Sequence, residues 1–251
     1  MQITNDYSKF SPQDYLNEYY RVLNHENLFI LNFLHESYKN ISFQRTMIEL
    51  GGGPTIYQLI SSRNKVQEII FSDYLDKNLQ EVEKWRNNSK VSFNWDSYFK
   101  LVLKLENKKV NAGNLINMKN ELKNKIIELE RCNGYDKKPL SNYHKKFDIL
   151  STCFCPEIVN NEKDYVNFLR NITTLLKLNG HLIMLAVKNA KFYKVGEINF
   201  PAYKIDETHV KRILEKIGYS NIKIKTMEIN NLRGYGGIMG VTAIKISEAP
   251  A

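Results

Sequence analysis

The stretch Met47-Ile48-Glu49-Leu50-Gly51-Gly52-Gly53-Pro54 decides how this chain is read. A short apolar run of strand length breaks into glycines. Glycine lets a backbone turn sharply and lets a ligand approach main-chain N–H groups that side chains would block. Roughly 20 residues on, the usual interval for a ribose carboxylate, a second apolar run, Val66-Gln67-Glu68-Ile69-Ile70-Phe71, ends at Ser72-Asp73. A carboxylate there can accept hydrogen bonds from both hydroxyls of a ribose. Glu49-x-Gly51-x-Gly53 lacks the third glycine of a dinucleotide site, because position 56 is Ile, so no pyrophosphate has to be accommodated. An adenosyl ligand such as S-adenosylmethionine therefore fits better than NAD. The plain alternative is a glycine turn that merely joins a strand to a helix, and Asp73 at the ribose distance weighs against it.

Outward from this centre, strands alternate with helical stretches. Thr55 to Ser62 reads as helical with Pro54 near its first turn, and Asp76 to Arg86 is strongly helical. Strand, helix, strand, helix is the doubly wound α/β pattern. It resumes with Ile126-Ile127-Glu128-Leu129, with Phe147 to Ser151, with a helix at 162–177 and with a strand from Gly180 to Val187. A helix at 206–217 precedes two alternating strands, 221–229 and 238–246, joined by a turn rich in glycine (Gly234, Gly236, Gly237). Upstream, 12–39 reads as helical, with Pro12 at a first helical position after Ser11. Between 87 and 125 the chain is polar, and Leu115, Met118, Leu122 and Ile126 are spaced for one apolar helix face. We expect a single domain over 1–251, with a helical cap at 1–40 and a helical insertion at 87–125.

The 251 residues carry 36 Lys and Arg against 27 Asp and Glu, a formal charge of +9. The lysines spread along the chain and accompany no groove-reading motif, so a solvated basic face is expected rather than a nucleic-acid partner. Cys153 and Cys155 stand two apart, where a strand would put both on one face, and Cys132 stands alone. No paired Cys-x-x-Cys spacing occurs and the histidines (25, 35, 144, 181, 209) are scattered. Reduced, packed thiols are expected, and no metal. No apolar run reaches the ~18–20 residues of a membrane span, and the amino terminus has no basic-then-apolar leader pattern. The expectation is a cytoplasmic monomer that acts on a small molecule.

Longer blocks are more specific. Gly51-Gly52-Gly53-Pro54-Thr55-Ile56-Tyr57-Gln58-Leu59 and Ser72-Asp73-Tyr74-Leu75-Asp76-Lys77-Asn78-Leu79-Gln80-Glu81-Val82-Glu83-Lys84-Trp85 closely resemble the small-molecule methyltransferases that include nicotinamide, phenylethanolamine and thioether/indolethylamine methyltransferases. Asp14-Tyr15-Leu16-Asn17-Glu18-Tyr19-Tyr20, the block from Leu169 to Leu182 and Tyr193-Lys194-Val195-Gly196-Glu197 resemble the same family, so the likeness runs from about Phe10 to Ile246. It implies the class I methyltransferase fold: a Rossmann-like α/β sheet of seven strands, mostly parallel with an antiparallel last strand, under an N-terminal helical lid. It implies S-adenosylmethionine as donor and S-adenosylhomocysteine as product. Tyr15 and Tyr20 would then lie over the donor, and Gly51, Gly52 and Tyr57 would line its methionine part. Asp73 and Asn78 would serve the ribose, and Thr152 the turn after the fourth strand. Asn133-Gly134 stands where the family usually has Asp-Val beside adenine.

The acceptor side departs from that pattern. An acidic residue on the fifth strand of the nicotinamide enzyme is matched by Ala186. One after the fourth strand of the phenylethanolamine enzyme is matched by Pro156, with Glu157 one place on. A third is matched by Glu197, and a fourth falls in Arg233-Gly234-Tyr235-Gly236, which holds no carboxylate. Glu197 and Glu157 are the catalytic candidates, with Tyr15 positioning. Tyr7, Phe192, Tyr193 and Glu197 are the substrate-binding candidates. Methyl transfer from sulfonium is an in-line displacement helped mainly by positioning, and a protonated amine must first lose a proton to a base. The expected reaction is N-methylation of a small amine or nitrogen heterocycle. The alternatives are a thiol or thioether S-methyltransferase and a catalytically silent donor-binding regulator.

Overall fold

A computed structural model of the chain describes residues 2–140, 143, 145–229 and 234–249. His144 and Arg233 lie outside the described residues. Strands β1 (Gln44–Leu50), β2 (Val66–Asp73), β3 (Ile126–Arg131), β4 (Phe147–Cys153), β5 (Leu176–Lys188), β8 (Tyr219–Glu228) and β9 (Gly237–Lys245) form one sheet in the order β3-β2-β1-β4-β5-β9-β8. Parallel pairing holds from β3 to β5, while β9 lies antiparallel to both β5 and β8. The sheet order steps outward in both directions from β1 and β4, so the carboxyl ends of these two strands open a crevice.

The central strands are apolar on both faces because helices cover both. Met47, Ile69, Ile149 and Ile183 pack in a cluster with α2 (His25–Lys39), while Ile48, Ile70, Leu150 and Leu182 pack with α6 (Glu162–Thr173) and α7 (Glu207–Lys216). The two clusters alternate residue by residue along each strand, as a period of two requires.

Several expectations are corrected. The helical run at 12–39 is two helices, α1 (Pro12–Tyr19) and α2. Asn24 breaks it, because its side chain accepts from the Asn27 N–H while the Asn27 side chain accepts from the Asn24 N–H, a reciprocal N-cap. Thr55 to Ser62 is not an α-helix but two short 3₁₀ turns, Tyr57–Leu59 and Ser62–Asn64. Pro54 and β-branched Thr55 and Ile56 favour no continuous helix in so short a link. Segment 87–125 holds two helices rather than one, α4 (Asp96–Leu105) and α5 (Ala112–Lys125), following α3 (Asp76–Arg86). Buried Arg63, in the turn before β2, holds both: Nη2 donates to Glu106 Oε2 at 2.7 Å and Nε to Glu121 Oε2 at 3.1 Å. Cys153 and Cys155 do not share a strand face, because β4 ends at Cys153 and Phe154 takes a left-handed φ of 56°. The sequence reading also missed a hairpin, β6 (Phe192–Val195) with β7 (Ile198–Pro201), turned through Gly196 at φ 58°.

Candidate active site

A cavity of about 1020 Å³ opens at the carboxyl ends of β1, β2 and β4 and runs beneath α1 and the β6–β7 hairpin. Ligand pockets reach roughly 300–1,000 Å³, so this one has room for a donor and an acceptor together.

The donor half is organised by the glycine turn and Asp73. Gly51 and Gly53 have φ of 65° and 63°, a region that L side chains avoid. A Cβ on Gly51 would stand 2.2 Å from Cys155 Sγ, whereas one on Gly53 would meet nothing nearer than the Tyr15 ring, 4.0 Å away. Asp73 Oδ2 accepts from the Gly53 N–H at 2.8 Å, and Oδ1 accepts from the Leu75 N–H at 2.8 Å and Asn78 Nδ2 at 2.9 Å. Burial raises the Asp73 carboxyl, and these three donors act against that rise. Asn78 Oδ1 is buried beside it without a partner, an unfilled acceptor in this half of the cavity. The open face of Gly53 and this unfilled oxygen fit an adenosyl donor. Asn133 and Gly134 line the other end of this half. The Asn133 Oδ1 expected to meet the adenine amino group already accepts from the Tyr135 N–H at 3.1 Å. A Cβ on Gly134 would stand 2.2 Å from the Phe168 ring, so glycine here lets that ring lie under the site.

The cavity is roofed by tyrosines. Tyr15 and Tyr20 hydroxyls are 3.3 Å apart, and the Tyr20 ring stacks on Tyr57 with centroids 5.0 Å apart. Tyr19 OH donates to the Lys194 carbonyl at 2.7 Å and Tyr7 OH to the Ile158 carbonyl at 3.3 Å. These bonds fasten the N-terminal segment to the hairpin on one side and to the turn after β4 on the other. Burial pushes the Tyr15 hydroxyl up to about 12, so it stays protonated at neutral pH.

Glu157 lies in the turn after β4 and lines the cavity, 2% exposed. Oε1 accepts from the Val187 N–H at 2.8 Å, while Oε2 is buried with no hydrogen-bond partner. Burial pushes its carboxyl up to about 7, against the pull of backbone N–H groups. That is a range in which a carboxylate can exchange a proton at physiological pH.

The cavity brings together Tyr7, Tyr15, Tyr20, Gly51, Gly52, Tyr57, Asp73, Asn78, Asn133, Gly134, Glu157, Phe192 and Tyr193. Two expected residues stay apart from it. Glu197 sits in the β6–β7 turn with its side chain 93% exposed, 3.4 Å from Lys194 Nζ, and the tight turn through Gly196 directs it to solvent. Thr152 is a fully buried residue of β4, not part of the turn after it. Cys153, Phe154 and Cys155 take the place expected for Thr152 at the wall. Ala186, matched to an acidic position, is buried within β5, and Val187 lines the cavity instead.

All three cysteines of the chain line this one cavity and are free and buried, a placement their spacing did not reveal. Burial raises all three thiols, which keeps them protonated. Also missed were Ala190 and Ala202, which flank the hairpin at the cavity wall, and Glu26, which accepts from Tyr235 OH at 2.9 Å. The alternation Phe192-Tyr193-Lys194-Val195 before Gly196 was the signal for that hairpin.

Comparison with known proteins gives this geometry its relatives. Nicotinamide N-methyltransferase of Homo sapiens is 29% identical over 226 residues, 85% of this chain and 83% of its own length. Indolethylamine N-methyltransferase of Mus musculus is 27% identical, covering 98% and 96%. Phenylethanolamine N-methyltransferase of Homo sapiens is 29% identical, covering 72% and 65%. Among solved structures, the DhpI–SAM–HEP complex aligns with a TM-score of 0.57 at 10% identity over 92% of this chain and 91% of that one. The N-methyltransferase NodS of Bradyrhizobium japonicum, in complex with S-adenosylhomocysteine, aligns at 0.54 and 8% identity over 89% of each. These two likenesses concern the fold: a mostly parallel seven-stranded sheet of the S-adenosylmethionine-dependent methyltransferase kind. The profile of the NNMT/PNMT/TEMT family spans residues 1–246. With a glycine turn, a buried aspartate at the end of β2 and a row of tyrosines in one cavity, the chain belongs to the NNMT/PNMT/TEMT family and is a methyltransferase.

Proposed function

We propose that the chain methylates the nitrogen of a small amine, with Glu157 as the carboxylate that holds the acceptor and takes its proton. S-adenosylmethionine supplies an electrophilic methyl group on a sulfonium. Gly53, Asp73 and Asn78 hold the adenosyl side of the donor, and Tyr15, Tyr20 and Tyr57 close over it and exclude water. What remains is to present a neutral nitrogen in line with the methyl group, ~3–3.5 Å from it. An ammonium ion entering the acceptor half meets Glu157 Oε2, pairs with it and can release its proton there.

The observation that carries this reading is the buried, unpartnered oxygen of Glu157 at the cavity wall. A buried carboxylate without a partner is costly, and a cation relieves that cost. A neutral thioether would leave the cost in place, so the amine is favoured over sulfur. Glu197, exposed and paired with Lys194, is left out of the chemistry.

The test is release of S-adenosylhomocysteine across a panel of small amines, nitrogen heterocycles and thiols. We expect amines to lead. In Glu157→Gln, kcat/KM for the best amine falls ~100-fold, the lower end of the range for losing one general base. In the wild type it rises as pH increases through about 7, because the carboxylate must be ionised to take the proton. Full activity of Glu157→Gln on its best amine would remove Glu157 from the mechanism.

A further inference from the structure

Methyl transfer makes no use of the thiols on the donor side of the cavity, and two of them converge on one glycine. Cys132 follows β3 and Cys155 lies two residues past β4. Cys155 Sγ occupies the space that a side chain on Gly51 would need, 2.2 Å from where its Cβ would stand. Cys132 Sγ lies beside the Gly51 N–H and the Ser72 side chain, both of which favour its thiolate, while its own N–H donates to the Asp73 carbonyl at 3.0 Å. After burial, the neighbour that raises the Cys155 thiol most is Cys132.

The third cysteine stands apart. Cys132 and Cys155 pack in the cluster that holds Ile48, Leu50 and Ile70, on the α6 and α7 side of the sheet. Cys153 packs in the opposite cluster, with α2, because β4 turns it to the other face. Among the described residues no group of three or more His, Cys, Asp and Glu could hold a metal ion. An ion that demands three or four protein ligands is therefore not served, whereas two sulfurs suit a thiophile that forms two bonds.

Both thiols are on the cavity wall, Cys132 4% and Cys155 8% exposed, so whatever reaches them enters through the donor pocket. Burial pushes the Cys132 thiol up to about 12 and raises Cys155 as well, so both are protonated at neutral pH. Alkylating reagents need the thiolate and react slowly with such groups. An arsenic(III) oxide condenses with the protonated pair, because its oxygen carries both protons away.

We infer that Cys132 and Cys155 form a dithiol site that captures trivalent arsenicals and thereby closes the donor pocket. Two As–S bonds form, while two S–H bonds and the As=O bond break. The oxygen leaves with both protons as one water molecule, arsenic stays trivalent, and no oxidant or reductant takes part. Drawing both sulfurs onto one atom sets arsenic and its substituent against Gly51, in the turn where the resemblance puts the methionine part of the donor. The site is independent of which acceptor is methylated.

The experiment uses the full chain and phenylarsine oxide, and its readouts need no methyl acceptor. Mass spectrometry of the intact chain should show one phenylarsenic adduct, with two of the three free thiols lost to titration. The adduct should be released by 2,3-dimercaptopropanol and not by 2-mercaptoethanol at equal thiol concentration, since only a second tethered sulfur competes with a chelate. S-Adenosylhomocysteine at about a hundred times its dissociation constant should weaken capture ~100-fold, as mutual exclusion requires. Cys132→Ala and Cys155→Ala should each weaken capture ~100-fold or more by removing the second attachment, while Cys153→Ala stays within about threefold of wild type. Undiminished capture in Cys132→Ala or Cys155→Ala, one thiol lost per arsenical, or no adduct on the wild type overturns the dithiol site. Full capture under saturating S-adenosylhomocysteine overturns its overlap with the donor. If a variant fails to fold, the wild-type thiol count and selective release decide: two thiols lost and release by the dithiol alone support the site, and any other pattern overturns it.

Discussion

Replacing Asp73 by Asn changes one atom type at the point where the glycine turn, β2 and α3 meet. The carboxylate accepts from Gly53 on Oδ2 and from Leu75 and Asn78 on Oδ1. An asparagine has one acceptor oxygen and one NH₂ group, so either orientation sets a donor against a donor. With its oxygen toward Leu75 and Asn78, the NH₂ faces the Gly53 N–H and loosens the turn that carries the donor's methionine part. The ribose hydroxyls also lose a charged acceptor. A hydrogen bond to a charged group contributes roughly 1.5–3 kcal/mol and a neutral one about 1, so the net loss summed over two hydroxyls is ~1–3 kcal/mol. That corresponds to ~10- to 100-fold weaker binding of S-adenosylhomocysteine. Calorimetric titration of wild type and Asp73→Asn checks the affinity, and urea unfolding without ligand separates binding from folding. Burial of the charge already works against Asp73 in the free protein, so the variant should lose affinity more clearly than stability. An affinity within threefold of wild type, in a variant of normal stability, would refute the ribose assignment.

Gly134→Ala drives a Cβ to within 2.2 Å of the Phe168 ring, and overpacking of this kind costs ~1–3 kcal/mol; thermal unfolding should show the loss, and donor affinity should fall with it. Glu49 is fully buried and its carboxyl is pushed up to about 8 from 4.5 by burial. Its folded pKa is raised, so its contribution is fully present below the unfolded value and is lost as pH rises toward 8. In Glu49→Gln the decline in urea stability across that window should be shallower by up to ~1.4 kcal/mol per pH unit, and equal slopes would show that Glu49 ionises normally. Glu197→Gln should leave kcat/KM within about twofold of wild type, since an exposed pair contributes little; a large fall in steady-state activity would restore Glu197 to the site.

The sheet was readable because its signals are local. Runs such as Val66 to Phe71 and Phe147 to Ser151 are long enough to be buried strands and lie between helical periods, which fixes the fold class. Errors arose where two local signals share one stretch. Residues 12–39 keep helical spacing across a break that Asn24 makes by capping, and Thr55 to Ser62 follows a glycine turn yet has room only for 3₁₀ turns. The segment 87–125 hid a second helix, α4, whose buried face is Tyr98, Phe99, Val102 and Leu103. That face was equally compatible with a polar linker until α2 supplied its partner.

Site residues divide by how far apart in sequence their partners lie. Asp73 and the glycines 20 positions before it form a short-range motif, so they could be named from spacing. Glu157 and Glu197 could not be told apart in that way. Each is an acidic residue near a matched position, and what separates them is tertiary. The hairpin turn at Gly196 sends Glu197 into water, where an ion pair with Lys194 costs and gains little. The turn after β4 sends Glu157 inward, where the Val187 amide on the neighbouring strand takes one oxygen and leaves the other unpaired. Only the second arrangement makes a cation's entry favourable, because only there does the carboxylate lack a counter-charge. On the proposed reading, the departure from the family pattern, Pro156 followed by Glu157, moves the acid by one residue along the turn.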